Sequence, residues 1–408
     1  MKKTACIVTT ATILSILISC SKNGTTVQQP DSTSAITSNT NSTSISTLVQ
    51  TFGSNIDLTN LYNYANQSIP NYITKTNSNV ITNPKATLGR VLFYDPSLSV
   101  TNTVSCSSCH HQNFAFGDTA IASKGVLGGL TTRHSMRLVN NRFEVEAKYF
   151  WDERATSLEN QIPQPIENFS EMGYSGTSGR PTIDTLLTKL ARIPYYKPLF
   201  KFVYGDTIVT TTRLQECVSQ FIRSIQSFDS KFDAGRALVS ADSLNFPNYT
   251  TQQNLGKTLF LTNPVFDQTG NRIAGGVGCN NCHKSPEFDI DPNTKNNGVI
   301  ATINSSALDI IVVKSPSLRN ITKPDGSIVA PLMHNANFTS LGQVIAHYGN
   351  INIAPGNTNL DKRLTPNGFG QKLNLTSTEL NALISFLQTL SGNAVYTDPR
   401  WSNPFVSK

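Results

Sequence analysis

Apolar residues along this chain recur at the three- and four-residue spacing of helices far more often than at the alternation of strands. Ile183, Leu186, Leu187 and Leu190 share one helical face, as do Leu214, Cys217, Val218 and Phe221. Cys217 therefore reads as a packed core residue rather than a reactive thiol. Near the C-terminus, Thr376 and Glu379 match a capping box. The helix it opens carries Leu380, Leu383, Ile384 and Leu387 on one face and stops by Gly392. Strand signals are few and short, so a mainly α protein is expected.

The pattern also repeats at long range. Leu88-Gly89-Arg90-Val91-Leu92-Phe93 and Leu255-Gly256-Lys257-Thr258-Leu259-Phe260 are two copies of one segment, each reading as the first helix of a domain. Each precedes a Cys-x-x-Cys-His run, Cys106 to His110 and Cys279 to His283. Each run is followed by a phenylalanine and an aspartate, Phe116 and Asp118 in one copy, Phe288 and Asp289 in the other. Such a run is the attachment signature of a c-type haem: two thiols placed to add to the vinyl groups of one porphyrin, then an imidazole for its iron. A shared four-cysteine zinc site or redox thiols are the alternatives, and the second copy lowers their weight. The expected fold is mainly α, two cytochrome c-like haem domains in tandem, spanning residues 54–245 and 246–408.

The N-terminus departs from both patterns. Met1-Lys2-Lys3 leads into an apolar run from Ile7 to Ile18, too short to span a bilayer and typical of a signal-peptide core. It ends in Leu17-Ile18-Ser19-Cys20, which resembles a bacterial lipobox whose cysteine is lipidated. Residues 1–19 are expected to be a lipoprotein signal peptide, Cys20 the lipid anchor, and residues 20–53, rich in Ser, Thr and Asn, a flexible tether.

Composition sharpens the picture in three places. With 408 residues, 38% of them hydrophobic, the chain can bury two cores. Of seven cysteines, Cys6 falls in the leader, Cys20 takes lipid, four hold haem and Cys217 remains, so no disulfide pair is left over. Because c-type haem is attached outside the cytoplasm, leader and haem motifs indicate one location: exported, lipid-anchored, periplasmic or cell-surface. Losing Lys2 and Lys3 lowers the formal charge of +7 by two, and four haem propionates offset most of the rest. With no basic stripe, nucleic acid is not an expected partner.

Two haems alone make an electron carrier. Phe150-Trp151-Asp152-Glu153-Arg154, followed by Gln161, Pro165, Glu171 and Met172, points further. With the Leu-Gly-x-x-Leu-Phe segments and Ser315-Pro316-Ser317-Leu318-Arg319-Asn320, this stretch resembles the bacterial di-haem cytochrome c peroxidases and their MauG-type relatives over most of residues 80–392. The resemblance implies His110 and His283 as iron ligands, Trp151 as an electron relay between the haems, and Gln161, Pro165 and Glu171 on the peroxide side of the first haem. Those side chains suit the task, because heterolytic O–O cleavage needs a base that moves a proton from one peroxide oxygen to the other. Arg133, Arg154 and Arg319 are candidate propionate partners, since guanidinium matches carboxylate. Hydrogen peroxide, a small c-type cytochrome or similar donor, and a second copy of the chain are the implied partners. A MauG-like oxidase acting on a protein side chain and a non-catalytic di-haem carrier are the rival readings.

The sequence departs from the family pattern at three points. Many relatives cap the first haem with a second histidine, and Val126-Leu127-Gly128-Gly129 stands in its expected place, so the first haem is expected to be open to peroxide without prior reduction. Where the family usually has a ligand methionine for the second haem, the chain has Tyr348, with Met333 and His347 as runners-up. A tyrosinate there would favour oxidised iron. His134 replaces the usual asparagine of an inter-haem calcium site, leaving backbone carbonyls, here Val329 and Pro331, as ligands for calcium, which prefers oxygen.

Overall fold

The computed structural model describes residues 37–74, 80–144, 148–290, 293–303, 305–329 and 331–406. The leader, Cys20 and the first part of the expected tether lie outside the described residues. Helices dominate: α1 (Thr37–Phe52), α2 (Asn83–Tyr94), α3 (Leu158–Gln161), α4 (Pro163–Glu167), α5 (Ile183–Arg192), α6 (Tyr196–Tyr204), α7 (Thr211–Ser224), α8 (Lys231–Arg236), α9 (Thr251–Leu261), α10 (Leu341–Gly349), α11 (Ser377–Leu387) and α12 (Ala394–Thr397). Six short strands pair as three antiparallel ribbons: β1 (Pro264–Phe266) with β2 (Arg272–Gly275), β3 (His283–Lys284) with β4 (Asp289–Ile290), and β5 (Ala301–Thr302) with β6 (Ser305–Leu308). Among the described residues no helix is long and apolar enough to cross a membrane.

The two copies of the repeated segment become α2 and α9, and each packs on a later helix at its glycine. A side chain on Gly89 would begin 1.9 Å from the Cys217 carbonyl oxygen on α7. One on Gly256 would begin 1.9 Å from the Ala382 carbonyl oxygen on α11. Only glycine allows backbones to approach this closely. The contact also brings aromatic rings together. Phe93 meets Phe221 and Phe116 at centroid distances of 5.1 and 5.9 Å. Phe260 meets Phe386 and Phe288 at 5.2 and 5.6 Å. Each trio sits in its own apolar cluster, one built mainly from α1 to α7, the other from α8 to α11.

Three local expectations change. The capping box at Thr376 and Glu379 is present, yet the buried face of α11 is Ala382, Leu383, Phe386 and Leu387, with Leu380 and Ile384 only partly covered. The pattern is shifted because Gly256 faces Ala382 and draws the helix round. Residues 37–52, expected as the end of the tether, are helical. Phe52 is fully buried, its ring 5.5 Å from Tyr195 and 5.1 Å from Phe405, partners too distant in sequence to be read locally. The C-terminal tail returns to the first apolar cluster, where Trp401 is 1% exposed. Tyr94 donates to the Trp401 carbonyl at 2.6 Å, and Arg90 Nε donates to the Ser402 carbonyl at 2.6 Å.

Gly89→Ala and Gly256→Ala are expected to lower stability by about 1–3 kcal/mol each through overpacking. Thermal unfolding of the two variants checks this, and unchanged midpoints would show that the helices do not meet as described.

Candidate active site

Each Cys-x-x-Cys-His run opens as a short 3₁₀ turn, Cys106–Ser108 and Cys279–Asn281, and places its thiols and imidazole on a cavity. Cys106, Cys109 and His110 line a first cavity of about 700 Å³. Cys279, Cys282 and His283 line a second of about 670 Å³, and His283 also borders an adjoining space of about 810 Å³.

The histidines are prepared for a metal in parallel ways. Nδ1 of His110 bonds the Phe116 carbonyl at 3.0 Å. A proton on Nδ1 leaves the Nε2 lone pair for a metal. The Phe288 and Pro316 carbonyls face the His283 imidazole, and its buried Nδ1 has no close hydrogen-bond partner among the described residues. Burial lowers both imidazole pKa values, that of His283 to about 4, so both rings are neutral and able to ligate. Phe116 and Phe288 each take a positive φ, 58° and 56°, which turns the carbonyl back toward the ring.

The thiols exclude the simpler alternatives. The two cysteine pairs line separate cavities, so they do not form one zinc site. Among the described residues no three His, Cys, Asp or Glu side chains are grouped to hold a metal ion. Burial pushes Cys106 up to about 12, Cys109 to about 11 and Cys279 to about 12, opposite to what a redox dithiol needs. Paired thiols and a neutral imidazole on one cavity fit a c-type haem at each run.

Gln161, Pro165, Glu171 and Met172 all line the first cavity with His110. Gln161 ends α3, whose Glu159 pairs with the buried Arg223 of α7 at 2.8 Å. Pro165 lies on α4. Glu171 follows in a turn held by Asn168, whose Oδ1 accepts from the backbone of Ser170 at 2.9 Å and of Glu171 at 3.1 Å. The Glu171 carbonyl in turn accepts from the Val126 N–H at 3.0 Å. Burial raises the Glu171 carboxyl above the usual carboxylate range, and the Arg154 charge offsets only part of this.

The loop in place of a capping histidine contributes support instead. A side chain on Gly125 or Gly129 would begin 1.9 or 2.2 Å from the Ser170 carbonyl oxygen, so both glycines press on the strand of chain that carries Glu171. Leu127 points outward, 72% exposed. His111 lies 3.9 Å from Asp118, and His134 Nδ1 bonds the Ala120 carbonyl at 2.9 Å. Of the six histidines in the chain, His110 is the one that lines the first cavity.

Trp151 is fixed to the wall between the first cavity and the space beside His283. Ser135 lines both the first cavity and the space beside His283, and Trp151 Nε1 donates to the neighbouring His134 carbonyl at 2.7 Å. The Trp151 carbonyl accepts from Val313 at 2.9 Å and Lys314 at 3.1 Å. Trp151, Pro331, Met333 and Tyr348 line that space, and Tyr348 lines the second cavity too. Burial pushes the Tyr348 phenol up, and a hydrogen bond from Asn297 works against it. Val329 is buried, with its N–H on the Ile321 carbonyl at 3.1 Å.

The arginines need reassignment. Arg319 is fully buried outside the cavities, with Nη1 2.8 Å from both Asp233 oxygens and Nη2 donating to the Pro286 carbonyl, so it is a structural ion pair. Arg133 forks onto Asp309 at 2.7 and 3.1 Å and also reaches Asp152 at 2.7 Å. Arg154 holds the same Asp152 at 2.8 Å. None of the three lines the first cavity, the second or the space beside His283. Arg137, which no spacing singled out, does: it borders the space beside His283, its Nε is buried without a hydrogen-bond partner, and burial lowers its pKa to about 10. A buried guanidinium in this state is suited to a cofactor carboxylate.

The chain is similar to known di-haem proteins. The profile of a family described as di-haem cytochrome c peroxidase matches residues 83–237. The methylamine utilization protein MauG of Methylophilus methylotrophus is 28% identical over 333 residues, covering 80% of this chain and 88% of that protein. Cytochrome c551 peroxidase of Nitrosomonas europaea is 25% identical over 319 residues, covering 76% of this chain and 80% of that protein. Among solved structures, a MauG-like protein associated with microbial copper homeostasis superposes with a TM-score of 0.62 at 25% identity, covering 83% of this chain and 99% of that one.

Replacing Cys279 and Cys282 together by alanine is expected to halve the covalent haem per chain while leaving the first site loaded. Haem-to-protein ratio after denaturation measures this, and an unchanged ratio would show that the second run carries no haem.

Proposed function

The chain belongs to the di-haem cytochrome c peroxidase family, which includes the MauG proteins, and from that premise we propose that it reduces hydrogen peroxide to water. Electrons come from a small cytochrome or similar donor, enter at the second cavity and pass to the first. The observation that carries this reading is the convergence of Glu171, Gln161 and Pro165 on the cavity of His110, with no other histidine lining it.

In this reading two cytochrome c-like haem domains stand in tandem. Cys106, Cys109 and His110 hold one haem, and Cys279, Cys282 and His283 the other. Arg137 is placed for a propionate. Haem iron supplies the electron exchange with peroxide and with the donor. The protein supplies the proton path. Glu171 accepts the proton of one peroxide oxygen and returns it to the oxygen that departs, so that water leaves rather than hydroxide. Gln161 offers an amide to hold the peroxide, or a water, in reach of that carboxylate. Pro165 closes the wall without an N–H of its own. Trp151, bonded to the wall between the cavities, is the relay. Export and lipidation at Cys20 would hold this machinery outside the cytoplasm, on a membrane.

A second reading, a MauG-like oxidase that withdraws electrons from a protein side chain, rests on Tyr348 bordering the second cavity. Steady-state turnover separates the two readings: the peroxidase reading expects sustained peroxide reduction with a ferrocytochrome donor.

Glu171→Gln is expected to lower kcat by about 10²–10⁴-fold. The carboxylate must start deprotonated, and burial favours its protonated form, so wild-type activity should fall as pH drops through a value above the usual carboxylate range. The glutamine variant should lose that acid limb, and a variant with the parental limb would remove Glu171 from the role. Ferric enzyme as isolated and a pre-reduced sample are expected to turn over peroxide at equal rates. Activity confined to the pre-reduced sample would reveal a capping ligand.

A further inference from the structure

Tyr348, Met333 and His347 are the side chains in contention for the second iron, and one asparagine touches all three. Asn297 Nδ2 lies 3.0 Å from Tyr348 Oη and 3.6 Å from Met333 Sδ. The Asn297 backbone carbonyl lies 2.9 Å from His347 Nε2. Asn297 itself borders both the second cavity and the space beside His283.

The geometry of the amide is fixed from behind. Its Oδ1 accepts from the Val299 N–H at 3.1 Å, so its nitrogen, with two hydrogens, faces the tyrosine and the methionine. The preceding Asn296 is fully buried and pins the loop: its Nδ2 donates to the Val312 carbonyl at 3.2 Å, and its Oδ1 accepts from Gly298 N–H and Asn357 Nδ2, both at 2.9 Å. Tyr348 is held from the other side, where its carbonyl accepts from Gln371 at 2.7 Å.

These contacts act in one direction. The Asn297 amide holds the Tyr348 oxygen at the border of the second cavity and the space beside His283. The same amide occupies a lone pair of the Met333 sulfur and so weakens it as a metal ligand. His347 Nε2, donating its proton to the Asn297 carbonyl, is not free to ligate iron.

We propose that Asn297 sets the ligand of the second haem, holding the Tyr348 oxygen in place as that ligand and keeping the Met333 sulfur and His347 Nε2 off the iron. The proposal rests on the reading of Tyr348 as that ligand. Asn297 acts through Tyr348 and is a positioning residue.

The test compares ferric absorption and paramagnetic resonance spectra, and second-haem reduction potentials, of the full-length holoprotein carrying Asn297→Leu, Tyr348→Phe, or Asn297→Leu with Met333→Leu. Asn297→Leu keeps side-chain size and the backbone carbonyl but removes the donor. It is expected to lose most of the tyrosinate signature, gain a thioether-to-iron signature and raise the potential, since methionine ligation favours reduced iron. Adding Met333→Leu should abolish the thioether signature. Two haems per chain with the parental spectrum and potential in Asn297→Leu would overturn the proposal while leaving Tyr348 as ligand. An unchanged spectrum in Tyr348→Phe would overturn the ligand reading itself. Should Asn297→Leu fail to retain haem, Asn297→Asp, equal in shape and also without the donor, takes its place under the same two criteria.

Discussion

The close approach of backbones at Gly89 and Gly256 is the constraint on which the rest of the structure depends. Each glycine sets a helix against a later one at a distance no side chain would allow. That distance decides where Phe93 and Phe260 reach, and each ring docks a second phenylalanine, Phe116 or Phe288, from the loop after its Cys-x-x-Cys-His run. Both docked residues are buried and take a positive φ, a conformation a phenylalanine adopts only where packing over-determines it. In return their carbonyls face the imidazoles. A helix contact in the core thus sets the tautomer of a histidine at the cavity.

The two cavities are alike around their histidines. Residues 134–138 line the first cavity and the space beside His283, and Trp151 is bonded to them through the His134 carbonyl. The ion-pair chain Arg154, Asp152, Arg133 and Asp309 ties the Trp151 run to the second half of the chain. Each pair is partly exposed, so little stability follows from any one of them. Their effect is geometric: the Trp151 run cannot shift relative to Asp309 without breaking several charge-assisted bonds.

Much of this was legible in the sequence. The repeat fixed the positions of both glycines, both phenylalanines and both histidines, because the packing unit is short and recurs. Gln161, Pro165 and Glu171 were legible through their family spacing, since all three come from one continuous stretch. What escaped reading was contact between distant segments. Phe52 finds Tyr195 and Phe405, which turns expected tether into helix. Trp401 returns to the first apolar cluster. Arg319 matched a propionate partner by type but is consumed by Asp233, whereas Arg137, with no motif around it, borders the cavity. Residue type shows what a side chain can bind, and only the fold shows what has already bound it.

The proposal that puts peroxide chemistry in the first cavity rests on what the two halves do not share. The proximal halves are alike, so they cannot tell the two sites apart. The opposite walls come from unrelated segments, α3, α4 and the Asn168 turn in one case, α10 and the loop at Asn297 in the other. Each cavity has a carboxyl, and the two are driven in opposite directions. Glu171 is raised by burial with only Arg154 to offset it, which leaves a group able to hold and release a proton. Asp361 is buried too, but hydrogen bonds from Arg363 and from the Lys295 backbone outweigh that burial and hold its carboxyl below the usual range. A carboxylate locked in its charged form can anchor a loop but cannot shuttle a proton to a leaving oxygen. In the proposed function the first cavity is the one for bond cleavage, and the second, lined by Tyr348 and Asn297, the one for electron exchange.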